Sequence, residues 1–136
     1  MTVYSKSFEV KTENRIEWVN ITKSVQEIVK TSKILNGTVA IFTKHTTTGI
    51  TINEHESGLL QDLLSKLSEL IPRGAGYLHD RIDDNADSHL KSSILGNSAI
   101  IPVVGGSPAL GTWQSVLFGE FDGPRTRTVL VVVSGE

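Results

Sequence analysis

The chain is predicted to be an α+β protein built on paired antiparallel sheets. Three observations carry this. Short β-branched apolar segments dominate both ends of the chain. One long leucine stripe at helical spacing lies in the middle. The order reads strands, helix, strands, two helices, strands, without the strict β-α alternation of a parallel sheet.

Val3 to Val10 is a strand with mixed alternation, Lys11 to Arg15 a polar turn, and Ile16 to Asn20 a second strand. Thr22 is a candidate N-cap, because its hydroxyl can accept from a free first-turn amide. Val25, Ile28 and Val29 then keep helical spacing. Asn36-Gly37 is expected to end that unit, since both residues tolerate positive φ. Thr38 to Thr43 reads as a buried strand, and Gly49 to Asn53 as an alternating one. Leu59, Leu60, Leu63, Leu64, Leu67 and Ile71 form the stripe of the clearest helix, closed by Pro72. Arg73 to Arg81 is irregular. Ala86 to Leu95 is a helix that Gly96 stops. Ala99 to Val104 is a strand whose Pro102 cannot donate to a ladder, so it belongs at an edge or bulge. Thr112 to Phe121 and Val129 to Ser134 are the last two strands.

A length of 136 residues suits one domain, 1–136, with a real core. Charge is close to balanced, with 13 Lys and Arg against 15 Asp and Glu. A nucleic-acid binder usually shows a basic excess, so that class is disfavoured. Disulfides and thiolate metal sites are excluded because the chain has no cysteine. The N-terminus lacks a signal-peptide core, and no apolar run approaches the roughly 20 residues that span a bilayer. The expectation is a cytoplasmic protein without a membrane partner.

Chemistry-bearing residues concentrate in Asp83-Asp84-Asn85-Ala86-Asp87-Ser88-His89. If Asp84 or Asn85 caps the following helix, His89 lies near a first turn whose amides favour anions. Three carboxylates in the same place favour a cation, and a metal-bridged phosphate would reconcile the two. The bland alternative is a capped surface helix. His45-Thr46-Thr47-Thr48-Gly49 follows a buried strand. Its imidazole can be a metal ligand, a general base or a satisfied structural group. Gly49 allows close approach to the backbone. His55 and His79 read as surface residues. Period two places Gln114, Val116, Phe118 and Glu120 on one strand face, which could line a pocket or meet solvent. Arg125, after Asp122-Gly123-Pro124, suits bidentate binding of phosphate or carboxylate, or could pair with Asp122. No phosphate-loop, dinucleotide, metalloprotease or nucleophile-elbow motif is present.

Four ordered segments, His45–Glu54, Asp83–Lys91, Leu110–Gln114 and Glu120–Arg125, together resemble the YjbQ family, whose members are often labelled secondary thiamine-phosphate synthases. The likeness covers nearly the whole chain. It implies a β-sandwich and a homotrimer with sheets around a threefold axis. It also implies weak thiamine-phosphate synthesis, joining a pyrimidine diphosphate to a thiazole phosphate. The label names a secondary activity, so the main substrate is left open. Carried over are His45, Thr47, Asn53, Asp84, Asn85, His89, Gln114 and Arg125. Thr48 stands where many relatives have a small residue, usually Ala.

The expected site is one pocket formed by His45, Asn53, Asp84, His89, Gln114 and Arg125, within one subunit or at the boundary between two. Arg125 would hold a small phosphorylated or other anionic ligand. His45 and His89, with Asp84, would bind a divalent metal such as zinc. Without metal, one histidine would be the general acid. The rival class is a non-catalytic trimer that binds a metal or small molecule.

Overall fold

A computed structural model describes residues 1–136. Eight strands and three α-helices are present: β1 Thr2–Lys11, β2 Glu17–Asn20, α1 Thr22–Ser32, β3 Asn36–Thr43, β4 Thr48–Asn53, α2 Ser57–Leu70, α3 Ala86–Leu95, β5 Ser98–Val104, β6 Ser107–Pro108, β7 Ser115–Glu120 and β8 Thr126–Gly135. A single 3₁₀ turn, Leu78–Arg81, sits in the irregular stretch before α3. The strands form a five-stranded sheet, β1-β8-β3-β5-β6, and a three-stranded sheet, β2-β7-β4. Every pairing is antiparallel. The fold class is therefore α+β, as expected.

Period-two alternation builds the core. Val129, Val131 and Val133 of β8 face inward with Val39 and Ile41 of β3 and Ile101 and Val103 of β5. Ile50, Val116 and Phe118 of the small sheet meet them, and Val25, Ile28 and Val29 of α1 close one side. The outward positions are mixed, and some are apolar: Ile100 is 70 % exposed and Val3 63 %.

Three boundary expectations change. Thr22 does not cap α1; Ile21 holds the cap position, and the Thr22 hydroxyl accepts from the Val116 amide at 2.8 Å, tying the helix to β7. The helix stops at Lys33, whose φ is 61°. Asn36-Gly37 instead opens β3. There a Cβ on Gly37 would lie 1.9 Å from the Ser134 carbonyl oxygen, so glycine is needed for strand approach and not for a turn. The third change is that β7 begins at Ser115; Thr112 to Gln114 form a loop, in which Gln114 Oε1 accepts from the Gly111 amide at 2.8 Å.

Pro102 lies not on the edge but on β5, the inner strand next to the edge strand β6. The carbonyl of Pro102 accepts from Ala109, so its nitrogen, which has no N–H, also faces the two-residue edge strand β6. Glu56 caps α2 by accepting from Gly58 and Leu59, and those backbone bonds hold its pKa below the usual carboxylate value. The leucine stripe of α2 is only half-buried; no residue of that helix is fully covered.

Candidate functional site

Strand ends and one helix start meet at a single end of the sandwich. His45 follows β3, Thr47 precedes β4, Asp122 and Arg125 follow β7, Thr128 is the third residue of β8, and Asn85 and His89 belong to the start of α3. Helix α3 is held there by two glycines that pair across β4 and β7, Gly49 and Gly119. A Cβ on Gly49 would lie 2.5 Å from Leu95 Cδ2 and 3.0 Å from the Gly96 carbonyl oxygen, so a side chain there would have to push the end of the helix away. The Ile50 amide donates to the Gly96 carbonyl at 3.0 Å, and Ser88 Oγ donates to the Phe121 carbonyl at 2.5 Å.

Beneath the site lies a buried ion pair. Arg127 Nε donates to Glu120 Oε1 at 2.8 Å, and its Nη2 donates to Glu120 Oε2 at 2.5 Å and to Thr47 Oγ1 at 2.9 Å. Thr12 Oγ1 also donates to Glu120 Oε1, at 2.8 Å, and the Asp122 amide donates to Oε2 at 3.0 Å. Every strong bonding direction of the carboxylate is thus used, as a buried charge requires. A second cluster anchors α3. Asp87, which is 1 % exposed, accepts from Arg15 and from buried Lys91 at 3.1 Å. Burial by itself would raise the Asp87 pKa, but the bonds from Arg15 and Lys91 outweigh it and the net shift is downward.

His45 sits above the ion pair. The Thr128 amide donates to its Nε2 at 2.7 Å. A neutral imidazole has one lone pair, so Nε2 spends it there and the proton resides on Nδ1. Burial, and then the Arg127 charge, press the His45 pKa below its ordinary value; Glu120 pulls the other way, and Arg125 and Lys44 add smaller downward contributions. His45 is therefore a neutral N–H donor beside a cavity of ≈ 340 Å³ that Lys44, Asp83, Asn85, His89, Asp122 and Arg125 also line. Buried Asn85 donates to Asp122 Oδ2 at 2.8 Å, and its Oδ1 has no partner within the chain. Arg125 pairs with Asp122, the alternative the sequence left open: its Nε donates to the Asp122 carbonyl at 3.0 Å and its Nη2 to Asp122 Oδ2 at 3.4 Å, at the exposed edge of the cavity.

The sequence profile described as "UPF0047 protein YjbQ-like" matches residues 6–136. The chain belongs to this family. A UPF0047 protein of Archaeoglobus fulgidus is 52 % identical over 122 residues, 90 % of this chain and 94 % of that one. The YugU protein of Bacillus subtilis is 38 % identical over 131 residues, 96 % of this chain and 98 % of that one. A crystal structure of a protein of unknown function from Sulfolobus solfataricus superposes with a TM-score of 0.97 at 41 % identity and covers 99 % of both chains.

Within this YjbQ-like chain the expected site residues divide. His45, Thr47, Asn85, His89 and Arg125 line the one cavity. Asp84 does not; it is exposed and pairs with Arg73 at 3.2 Å. Asn53 and Gln114 lie at the opposite end of the small sheet, because Asn53 pairs with Ser115 while Thr48 pairs with Glu120. Five residues of strand, about 17 Å, separate the two ends. The helix cap also differs from expectation: Asn85 occupies the cap position without a side-chain cap, and Asp80 Oδ1 accepts from the Ala86 amide at 2.9 Å. His79 is exposed, as expected, yet its ring lies edge-on to His89 with centroids 4.7 Å apart.

Several site residues escaped sequence reasoning. Arg127, Lys44 and Thr128 belong to none of the clusters singled out. Arg127 did leave a signal: period two through Val129, Val131 and Val133 places it on the inward face, where an arginine needs a partner.

A metal shared by His45 and His89 does not fit the residues as they stand. The His45 lone pair is occupied by Thr128, so an ion on that ring requires the bond to break or the ring to lose its remaining proton. No three His, Asp or Glu side chains are grouped in metal-binding fashion.

Proposed function

We propose that the cavity beside His45 binds a small phosphorylated anion, and that the protein carries thiamine-phosphate synthase chemistry as a secondary activity. The observation that carries this reading is the locked tautomer of His45, a neutral N–H donor beside Lys44 and Arg125. In that reaction the thiazole nitrogen attacks the pyrimidine methylene, a C–N bond forms, and the C–O bond to diphosphate breaks. The leaving diphosphate takes the electron pair. Arg125 and Lys44 would stabilise its charge, and His45 Nδ1–H would donate to one of its oxygens. Arg127 is spoken for by Glu120 and acts from below. Asp83 and Asp122 also line the cavity, and Arg125 Nη2 lies 3.4 Å from Asp122 Oδ2, so an anion bound beside His45 would draw the guanidinium away from that carboxylate.

Calorimetric titration with inorganic pyrophosphate tests the binding. Wild type should bind, and His45→Gln and Arg125→Ala should each weaken binding about tenfold or more, the scale of one charge-assisted bond. Wild type that does not bind would remove this reading. Binding without synthesis of thiamine phosphate would point to the rival class, a non-catalytic binder.

A second reading has one observation behind it. His45 and His89 both line a further polar cavity of ≈ 520 Å³, where a divalent ion could bridge them if His45 released Thr128. Elemental analysis decides this: stoichiometric zinc or a similar metal, lost in His45→Ala, would favour it.

We also infer a homotrimer. The outer face of the five-stranded sheet supports it. Phe42, Ile100 and Val3 are exposed there, beside half-buried Leu130 and Val132. An apolar sheet face of this kind marks an association surface. Sedimentation equilibrium should return three times the 14.8 kDa chain mass, and a monomer would refute it.

A further inference from the structure

The largest cavity of the molecule, ≈ 640 Å³, lies far from His45 and is cationic. One wall is helix α1 with its cap residue: Lys23, Gln26, Glu27, Lys30 and Lys33 recur at spacings that keep them on one face. The other wall is the turn Gly105-Gly106-Ser107 between β5 and β6. Leu35 borders the cavity where β3 begins. The eight residues of β3, about 26 Å of strand, separate it from Lys44 and His45.

None of the three lysines forms an ion pair, not even with Glu27. Two of them also run against ordinary helix chemistry. Lys23 stands in the first turn of α1, where the helix dipole disfavours a cation, and no acid stands there to offset it. Lys33 ends the helix at φ 61° and is the one non-glycine residue of the chain with positive φ, although glycine takes that position at lower cost. Across the cavity, nothing lies within 4 Å of a Cβ built on Gly105, so a ligand can reach the backbone of that turn.

We propose that this cavity is a second anion site, for a small polyanion that carries three or more closely spaced charges. Three lysines against one glutamate leave its walls with an excess of two positive charges, three minus one. Glu27 also lines a smaller cavity of ≈ 190 Å³ together with Lys6, so its charge is shared with that side. A bound polyanion offsets the mutual repulsion of the lysines and the conflict of Lys23 with the dipole. The site is independent of the cavity beside His45 and stands whether or not that cavity takes phosphate.

The test is calorimetric titration of the full chain with citrate and with tripolyphosphate, while the amide resonances of Gly105 and Gly106 mark the place by NMR. Wild type should bind at least one of the two and shift both resonances. Binding of citrate alone would make the ligand a polycarboxylate, and of tripolyphosphate alone an oligophosphate. Lys30→Gln should weaken binding about threefold, and Lys23→Gln with Lys30→Gln about tenfold, the scale of exposed ionic contacts. Glu27→Gln should tighten it. Lys33→Gly separates binding from structure: it should raise the melting temperature, because glycine accepts this φ freely, and still weaken binding. Wild type that binds neither anion, or binds without moving Gly105 and Gly106, overturns the proposal. So does binding that the lysine substitutions leave unchanged. If those substitutions change the sedimentation mass, the cavity is a contact between copies of the chain, and the proposal is equally overturned.

Discussion

Two ion pairs frame the functional end of the molecule, and they differ in every respect that matters. Arg127 and Glu120 are 5 % and 0 % exposed at their side chains and share hydrogen bonds with Thr47 and Thr12. Arg73 and Asp84 are 52 % and 76 % exposed and make a single contact at 3.2 Å. The first pair carries the floor of the cavity and presses on the His45 proton equilibrium. The second lies in water, where screening and side-chain entropy leave little net attraction. Density of polar residues along the chain therefore misjudges importance. Asp84 stands in the most crowded polar segment and contributes least, whereas Arg127 stands alone in an apolar strand.

The sharpest way to break this comparison is Arg127→Ala. It leaves Glu120 buried and unpaired, so a loss of about 3–5 kcal/mol is expected by chemical denaturation. A loss below about 1 kcal/mol would show that the pair is not the structural floor. Next comes Asp87→Asn, which leaves buried Lys91 with a neutral partner. A cost of about 1–3 kcal/mol is expected, together with a loosened start of α3 visible as faster amide exchange there.

Acid sharpens the comparison further. His45 is held neutral with its pKa below the unfolded value. Its stabilising share is therefore complete above about pH 6.5 and declines as pH falls below that. Asp87, whose pKa is also lowered, contributes above about pH 4 and fails as pH drops through its folded value. Melting temperature should thus begin to fall below about pH 6.5, and His45→Gln should remove that first decline while keeping the second. An unchanged profile in the variant would clear His45 of the role. The smallest effect belongs to Asp84→Asn, which should shift stability by no more than about 0.5 kcal/mol. Unchanged pyrophosphate binding in that variant would complete the contrast.

Much of the architecture was legible because local periodicity encodes it. The valines of β8 and the α3 run to its Gly96 stop needed no long-range information. Gly49 was also readable as a place of close approach, and Leu95 occupies it. The boundary errors share one cause. Thr22 carries a cap-forming hydroxyl, but the Val116 amide, 94 positions away, competes for it and wins. Asn36-Gly37 has turn chemistry, yet pairing with β8 draws it into a strand.

The candidate site divides along the same line. Sequence alone determined the family, the α+β class and the segments that carry His45, Asn85, His89 and Arg125, since each of these is written in local spacing or in ordered motifs. Tertiary structure decided which of them meet. Antiparallel registry sends Asn53 and Gln114 to the far end of the small sheet and brings Thr128 to His45 Nε2. That single backbone bond selects the tautomer and makes the imidazole a donor, and not, as it stands, a metal ligand. The physical reason is one of range. Periodicity reports which face a residue takes, but the partner of a lone pair or a buried charge is chosen by strands and loops distant in the chain, and only their packing names it.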